Sequence, residues 1–227
     1  MSIITLFRKT FRTLWGAPLL YLLIQLPQAI IDALEYYAEQ VWGESQTLLM
    51  GGFALLAFII GVIPSVITFA MVWKESRTLG AVLRFFHGKW GLILLSALVS
   101  GILFALGVMA YIIPGILLMT LYLFVPYLIL TEEKAPLTTY FYRSSKLSRK
   151  KFKTVLAVVG AVLGLFIIFQ KVGEALGVHA SEQLENPLLQ KILLTSILML
   201  FSMFINAFVN VWLSHFFLRL NADEETV

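Results

Sequence analysis

Six long apolar stretches constrain the fold of this chain more than any other feature. They run over residues 14–34, 48–73, 90–113, 114–130, 155–170 and 192–218. A bilayer core about 30 Å thick requires about 20 helical residues to cross it. Most of the six stretches reach that length, and 155–170 is the shortest. The sequence therefore predicts an all-α integral membrane protein with six transmembrane helices arranged as three hairpins.

The distribution of Lys and Arg gives the six predicted helices an orientation. Six spans place both termini and the second and fourth connections on one side, which then holds fifteen of the seventeen Lys and Arg residues. Only Lys171 and Lys191 fall on the other side. Because the transfer of a cationic loop across an energised bilayer is unfavourable, the cation-rich side is predicted to be the cytoplasm. We expect a multi-pass protein of the bacterial inner (cytoplasmic) membrane with both termini cytoplasmic.

The composition agrees with a single membrane domain over residues 1–227. Hydrophobic residues make up 59% of the chain and charged residues only 13%, whereas soluble domains carry about 25% charge. Since the cations flank the spans, orientation and attraction to anionic headgroups explain the net charge of +4, and we expect no nucleic-acid partner. The chain has no cysteine, which excludes disulfides and thiolate metal sites.

Each predicted hairpin follows a segment in which aromatic and basic residues alternate, at residues 7–15, 83–90 and 140–152. Such amphipathic segments lie in the headgroup plane, with rings toward the acyl chains and charges toward phosphate. They serve either as ordinary juxtamembrane anchors or as a repeated unit of interfacial helix plus hairpin. The third segment carries the densest basic cluster. We predict that anionic phospholipid headgroups bind its cations, Arg143, Lys146, Arg149, Lys150, Lys151 and Lys153.

Prolines mark the positions where helices are expected to turn or bend. Pro64, in the middle of the second span, is predicted to kink or break its helix, and Pro126 is predicted to kink the fourth span near its end. Pro114 and Gly115 lie between the third and fourth spans with almost no polar linker. We predict a sharp turn there, with Pro114 opening the fourth span of a tight hairpin.

A polar stripe runs along the sixth span. Its members, at intervals of four residues on one drifting helix face, are Ser202, Asn206, Asn210 and Ser214. Polar side chains inside a membrane require partners, so the stripe should face protein or a water-filled path. Either it forms interhelical hydrogen bonds that hold the bundle together, or it lines a route for a substrate or ion. Gln25, which shares a face of the first span with Gln28 and Asp32, offers a second polar surface.

The sequence contains no recognised catalytic motif. The three histidines, His87, His179 and His215, are scattered and fit no metal-ligand spacing. No nucleophile elbow, phosphate-binding loop or dinucleotide fingerprint is present. We therefore expect no enzymatic activity, no metal and no cofactor.

One region of the sequence resembles a recurring bacterial pattern. Residues 113–116 (Ile-Pro-Gly-Ile), Pro126, Glu133 and residues 142–148 (Tyr-Arg-Ser-Ser-Lys-Leu-Ser) are similar to a pattern in six-span inner-membrane proteins of the YciC type. The same pattern occurs in the membrane domain attached to some glycerophosphodiester phosphodiesterases. The resemblance implies a six-span fold. It implies no catalysis, because the soluble phosphodiesterase domain and its acidic metal site are not in this sequence.

Taken together, these features predict a non-enzymatic inner-membrane protein that interacts with lipid or serves as an assembly partner in a larger envelope complex. Its expected partners are anionic phospholipids and an integral-membrane or envelope protein. The alternative is a small transporter or channel with a polar path along the sixth span. An enzyme that acts on lipid is the third possibility.

Overall fold

The computed structural model of the protein describes residues 3–42, 47–75, 78–86, 88–110, 112–132, 134–181 and 186–225, and over these residues it contains helices and no strand. The helices are α1 (Ile3–Gly16), α2 (Pro18–Trp42), α3 (Thr47–Lys74), α4 (Leu79–Phe85), α5 (Trp90–Ala110), α6 (Ile112–Tyr122), α7 (Val125–Thr131), α8 (Leu137–Lys150), α9 (Phe152–Ser181) and α10 (Pro187–Glu225). For the described residues the all-α class predicted from the sequence is confirmed.

Four stretches of the structure are long and apolar enough to cross a membrane. They are Trp90–Gly107, Ile113–Thr131, Phe152–Ala180 and Ile192–Asp223. The pair α1 and α2 passes the same test together, but the two helices meet at an angle of 93°. By length and composition the described residues thus hold four spanning segments, or five with the bent pair, as in a multi-pass membrane protein. The apolar stretch in α3, Ile59–Lys74, is shorter, and six spans remain a prediction.

The fifth predicted span is longer in the structure than in the sequence pattern. Residues 155–170 lie within α9, which is 30 residues long. The helix continues past the apolar stretch because it pairs closely with α10. A Cβ atom on Gly177 would lie only 2.4 Å from Leu194 Cδ1, so the missing side chain is what permits this approach.

The second half of α10 forms the centre of the described bundle. Residues 207–217 are all buried, and α10 packs against α1, α2, α3 and α9. Aromatic rings from three helices meet at this centre. The ring centroids of Phe69 and Tyr127 are 4.5 Å apart, and each ring packs on Phe217. The buried core therefore surrounds the part of α10 that carries Asn210 and Ser214.

The third and fourth predicted spans form a close hairpin. The helix α5 ends at Ala110 and α6 begins at Ile112, so Pro114 lies in the first turn of α6 instead of at its first residue. Proline is tolerated there because amides of the first helical turn have no partner within the helix. Gly107 and Gly115 face each other across the hairpin, and a Cβ atom on Gly107 would lie 2.8 Å from Gly115 Cα.

The two other prolines behave differently from each other. The helix α3 continues through Pro64 without ending, and the residues that follow it, 66–72, are all buried. At Pro126 the fourth span is interrupted, because α6 ends at Tyr122 and α7 begins at Val125 with Pro126 in its first turn. The bend predicted at Pro126 is thus a break between two helices.

The three basic segments coincide with helices to different degrees. Residues 7–15 lie in α1 and residues 140–150 lie in α8. In the second segment residues 83–85 end the seven-residue α4 and Trp90 begins α5, and His87 lies outside the described residues. An interfacial location for these helices remains a prediction.

Candidate functional site

The helix α8 presents two chemically different faces. Its buried side chains, Tyr140, Ser144, Leu147 and Ser148, follow the helical repeat and so share one side. This side packs against α6 and α7. The cations are on the opposite side, where Lys146, Arg149 and Lys150 are exposed. The amphipathic pattern of this segment thus becomes a packed face and a basic face.

The last turn of α6, next to the break before α7, supplies the hydrogen-bond acceptor for α8. Because α6 ends at Tyr122, carbonyls of its last turn lack donors within the helix; the amide that is missing at Pro126 is the one that would have reached the Tyr122 carbonyl. The Ser144 hydroxyl donates to the Leu121 carbonyl at 2.8 Å, and Ser148 approaches the same oxygen at 3.5 Å. The Pro126 break and the serines of α8 are therefore parts of one joint.

A second set of contacts lies at the C-terminal end of α7. The Lys89 ammonium group donates to the carbonyl oxygens of Leu130 at 2.9 Å and Glu132 at 3.1 Å, where α7 ends. Partial burial and the nearby charge of Lys134 lower the pKa of Lys89. The Glu132 carboxylate accepts from Arg143 at 2.9 Å. Lys89 and Arg143 thus join the start of α5, the end of α7 and α8.

The six cations predicted to bind headgroups fall into two groups. Arg143 pairs with Glu132, and Lys151 pairs with Asp223 near the end of α10. The other four, Lys146, Arg149, Lys150 and Lys153, are exposed, and none of them has an ion pair or hydrogen bond with the described residues. The structure therefore assigns two cations to internal contacts and leaves four exposed, three on the basic face of α8 and Lys153 at the start of α9.

The structure divides the polar stripe of α10 between two environments. The Asn206 amide donates to Ser202 Oγ at 3.1 Å within the same helix, and both side chains are half-buried. Asn210 is buried and donates to Gln25 Oε1 of α2 at 3.1 Å. The second half of the stripe is thus linked by a hydrogen bond to another helix, α2.

Gln25 extends this link to a third helix. The fully buried Gln25 side chain donates from Nε2 to Thr68 Oγ1 of α3 at 3.3 Å. Ser214, one turn after Asn210, donates to the Asn210 carbonyl at 2.6 Å. Thr68, Gln25, Asn210 and Ser214, here called the buried network, connect α2, α3 and α10.

Tyr127 links α7 to α3 beside the buried network. Its hydroxyl lies 2.9 Å from Ser65 Oγ, about one turn before Thr68 in α3. Ser65 follows Pro64 in α3, and Tyr127 follows Pro126 in α7. Sequence analysis singled out Gln25 and the stripe but missed Ser65, Thr68 and Tyr127, because one hydroxyl in an apolar helix gives no periodic signal.

The chemistry available to these side chains is hydrogen bonding between neutral groups. The buried network contains amides and hydroxyls and no carboxylate or ammonium group. Among the residues that the structure describes, no three His, Cys, Asp or Glu side chains are grouped so that they could hold a metal ion. The side chain of Asp32, which shares the face of Gln25, is outside the described side chains.

Comparison of the chain with protein-family models, curated proteins and solved structures found no match. The resemblance to YciC-type proteins and to the membrane domain of phosphodiesterases stays a prediction from residues 113–148. Within that stretch the structure gives a physical role to Gly115, Pro126, Arg143 and Ser144, since each takes part in the hairpin or in the joint with α8.

Proposed function

We propose that this chain is a six-span protein of the bacterial inner membrane, with both termini in the cytoplasm, that binds anionic phospholipids and catalyses no reaction. In this proposal it also assembles with an integral-membrane or envelope protein. The basic face of α8 is its lipid-binding surface.

The observation that carries the proposal is the way in which α8 is held. One face of the helix is fixed by Ser144 on the Leu121 carbonyl and by Arg143 on Glu132. The other face keeps three cations that have no partner among the described residues, namely Lys146, Arg149 and Lys150, and Lys153 follows at the start of α9. A basic face beside membrane-spanning helices attracts anionic headgroups, at about 1 kcal/mol for each cation near the surface.

The retained lipids of the purified protein test this proposal. Replacement of Lys146, Arg149 and Lys150 by Gln should reduce the ratio of phosphatidylglycerol and cardiolipin to neutral lipid, as measured by native mass spectrometry. A matched control replaces three cations that lie outside α8 on the predicted cytoplasmic side, Lys74, Arg84 and Lys134, by Gln. Unchanged lipid ratios in the α8 variant would contradict the proposal, and an equal loss in both variants would indicate a net-charge effect.

The proposed protein partner is tested separately by cross-linking in membranes followed by purification. A partner at fixed stoichiometry would support assembly into a complex. Recovery of the chain only with lipid would remove the assembly part of the proposal and leave the lipid-binding part.

A small transporter or channel is the second candidate function. The observation that favours it is the position of the buried network beside a broken helix, since transporters place substrate sites where spanning helices are discontinuous. The hydroxyl of Tyr127, three residues after the end of the α6–α7 break, lies 2.9 Å from Ser65 Oγ, about one turn before Thr68 of the buried network in α3. An Asn210→Cys variant tests it, because the chain has no native thiol. Rapid labelling by a membrane-impermeant maleimide would favour a wet path, and protection would favour packing.

A further inference from the structure

The helix α1 is fixed to the bundle by one face only. Leu6, Thr10 and Leu14 are spaced by four residues and are buried, and α1 packs on α10. On the same contact, Thr13 Oγ1 lies 3.0 Å from His215 Nε2. The orientation of α1 is therefore set, and its opposite face is left on the surface.

The exposed side of α1 carries a ridge of aromatic rings, whose first member, Phe7, also packs on Phe208 of α10 with ring centroids 5.2 Å apart. Phe7, Phe11 and Trp15 are again spaced by four residues, and their exposed fractions are 51%, 41% and 62%. The Phe11 and Trp15 rings pack edge to face with centroids 5.4 Å apart. These rings and the two arginines beside them line a shallow, open groove on the surface of α1 alone. Contiguous exposed aromatic surface of this kind marks a contact with a membrane or another molecule.

Two arginines lie along the same groove. Arg8 and Arg12 are one helical turn apart, both are exposed, and both line the groove. Within the part of the chain that the structure describes, neither guanidinium group has an ion pair or hydrogen bond. No carboxylate among the described residues forms an ion pair with either group, which leaves both charges available to an anion from outside the chain.

We propose that this groove binds one anionic phospholipid, with the phosphate between Arg8 and Arg12 and an acyl chain along Phe7, Phe11 and Trp15. Guanidinium groups suit this role because they contact phosphate oxygens in a bidentate manner. The site rests on the proposed membrane location of the chain and adds a second lipid site to that of α8.

The bend between α1 and α2 places the groove where such a lipid would be found. The two helices meet at 93°, so if α2 crosses the membrane, α1 lies along its surface, at the level of phosphates and upper acyl carbons. Beyond the bend, Leu19 and Leu23 are 75% and 61% exposed. They provide an apolar surface on α2 for the deeper part of the acyl chain.

Quenching of tryptophan fluorescence by brominated lipid tests the proposal with the full chain in nanodiscs. Nanodiscs of phosphatidylcholine would contain the same fraction of either brominated phosphatidylglycerol or brominated phosphatidylcholine. The difference between the native chain and Trp15→Phe isolates the Trp15 signal. We expect brominated phosphatidylglycerol to quench Trp15 more strongly, and this excess should disappear at high salt.

Paired variants identify the residues that cause the excess. Arg8→Gln with Arg12→Gln should abolish it, since one cation near an anionic surface contributes about five-fold in binding. Lys146→Gln with Arg149→Gln removes the same charge from α8 and should leave the Trp15 excess in place. Arg8→Lys with Arg12→Lys should retain part of the excess, because both positive charges remain. This pair provides a second test if the variant with two Gln residues does not fold.

Three outcomes would overturn the α1 site. They are equal quenching of Trp15 by both lipids in the native chain, an excess that survives the Arg-to-Gln pair, and an equal loss in the α8 control. The retained-lipid ratios of the α8 variants report on the proposed function independently, so failure of α8 and failure of α1 are distinguishable.

Discussion

At the residue scale, Asn210 and Asn206 offer a comparison between two similar side chains. Asn210 is buried and bonds to Gln25, which in turn bonds to Thr68. Asn206 is half-buried and bonds only to Ser202 in its own helix. The same amide, one turn apart, thus links helices in one position and stays local in the other.

We predict that Asn210→Leu lowers stability more than Asn206→Leu does. The lost interhelical bond contributes about 0.6 kcal/mol, and Gln25 Oε1 would remain buried without that donor, at a cost of about 1–3 kcal/mol. Thermal unfolding in detergent measures both variants against the native chain. Addition of Gln25→Leu to Asn210→Leu should recover part of the lost stability, because it removes the buried Gln25 amide whose donor Asn210 supplied.

Equal stability of the two Asn-to-Leu variants would contradict this role of the buried network. If Asn210→Leu instead left stability unchanged and abolished substrate flux in reconstituted vesicles, the transporter candidate would replace the lipid-binding proposal.

At the element scale, the break in the fourth span and the attachment of α8 depend on each other. Pro126 provides no amide for the preceding turn, and Ser144 supplies a donor to the partly buried end of α6. At the C-terminal end of α7, the Lys89 ammonium group donates to the carbonyls of the last turn. Side chains of neighbouring elements therefore bond next to both ends of the short helix α7.

We predict that Ser144→Ala loosens α8, since one hydrogen bond to a buried carbonyl contributes about 1 kcal/mol. Hydrogen exchange in residues 137–150 should become faster. Ser145→Ala is the matched control, because Ser145 is next in sequence and forms no hydrogen bond with the described residues. Equal exchange in both variants would show that Ser144 does not hold the helix.

At the scale of the whole molecule, three packed pairs recur. The pairs α2 with α3, α5 with α6, and α9 with α10 are each in contact. The last of them is central, because the second half of α10 also meets α1 and α3. A basic helix precedes the first pair as α1 and the last pair as α8, whereas the second pair follows only the short α4.

We predict that both termini lie in the cytoplasm and that the connection between α9 and α10 lies outside. Reporter fusions after Val227 and within residues 182–185 should therefore report opposite sides. A reporter at the N-terminus should agree with the one at the C-terminus, since an even number of spans returns the chain to its starting side. Termini on opposite sides would instead favour five spans, with α1 and α2 counted as one bent segment.

The sequence by itself determined the helical class, the membrane-compatible composition and the approximate places of the apolar helices. These follow from long runs of apolar side chains and from prolines, whose effects act along the chain. It also pointed to Asn210, because a polar side chain in such a run requires a partner. The apolar pattern underestimated the length of α9, because the contact of Gly177 with Leu194 involves a second helix, α10.

Only the tertiary structure decided which polar groups meet. Gln25, Thr68 and Asn210 come from three helices, and their hydrogen bonds depend on how those helices rotate and cross. The same holds for the division of the cations in residues 143–153 into paired and unpaired groups, because Glu132 and Asp223 approach them from other elements. Contacts between distant parts of the chain have no sequence period, so three-dimensional packing alone specifies them.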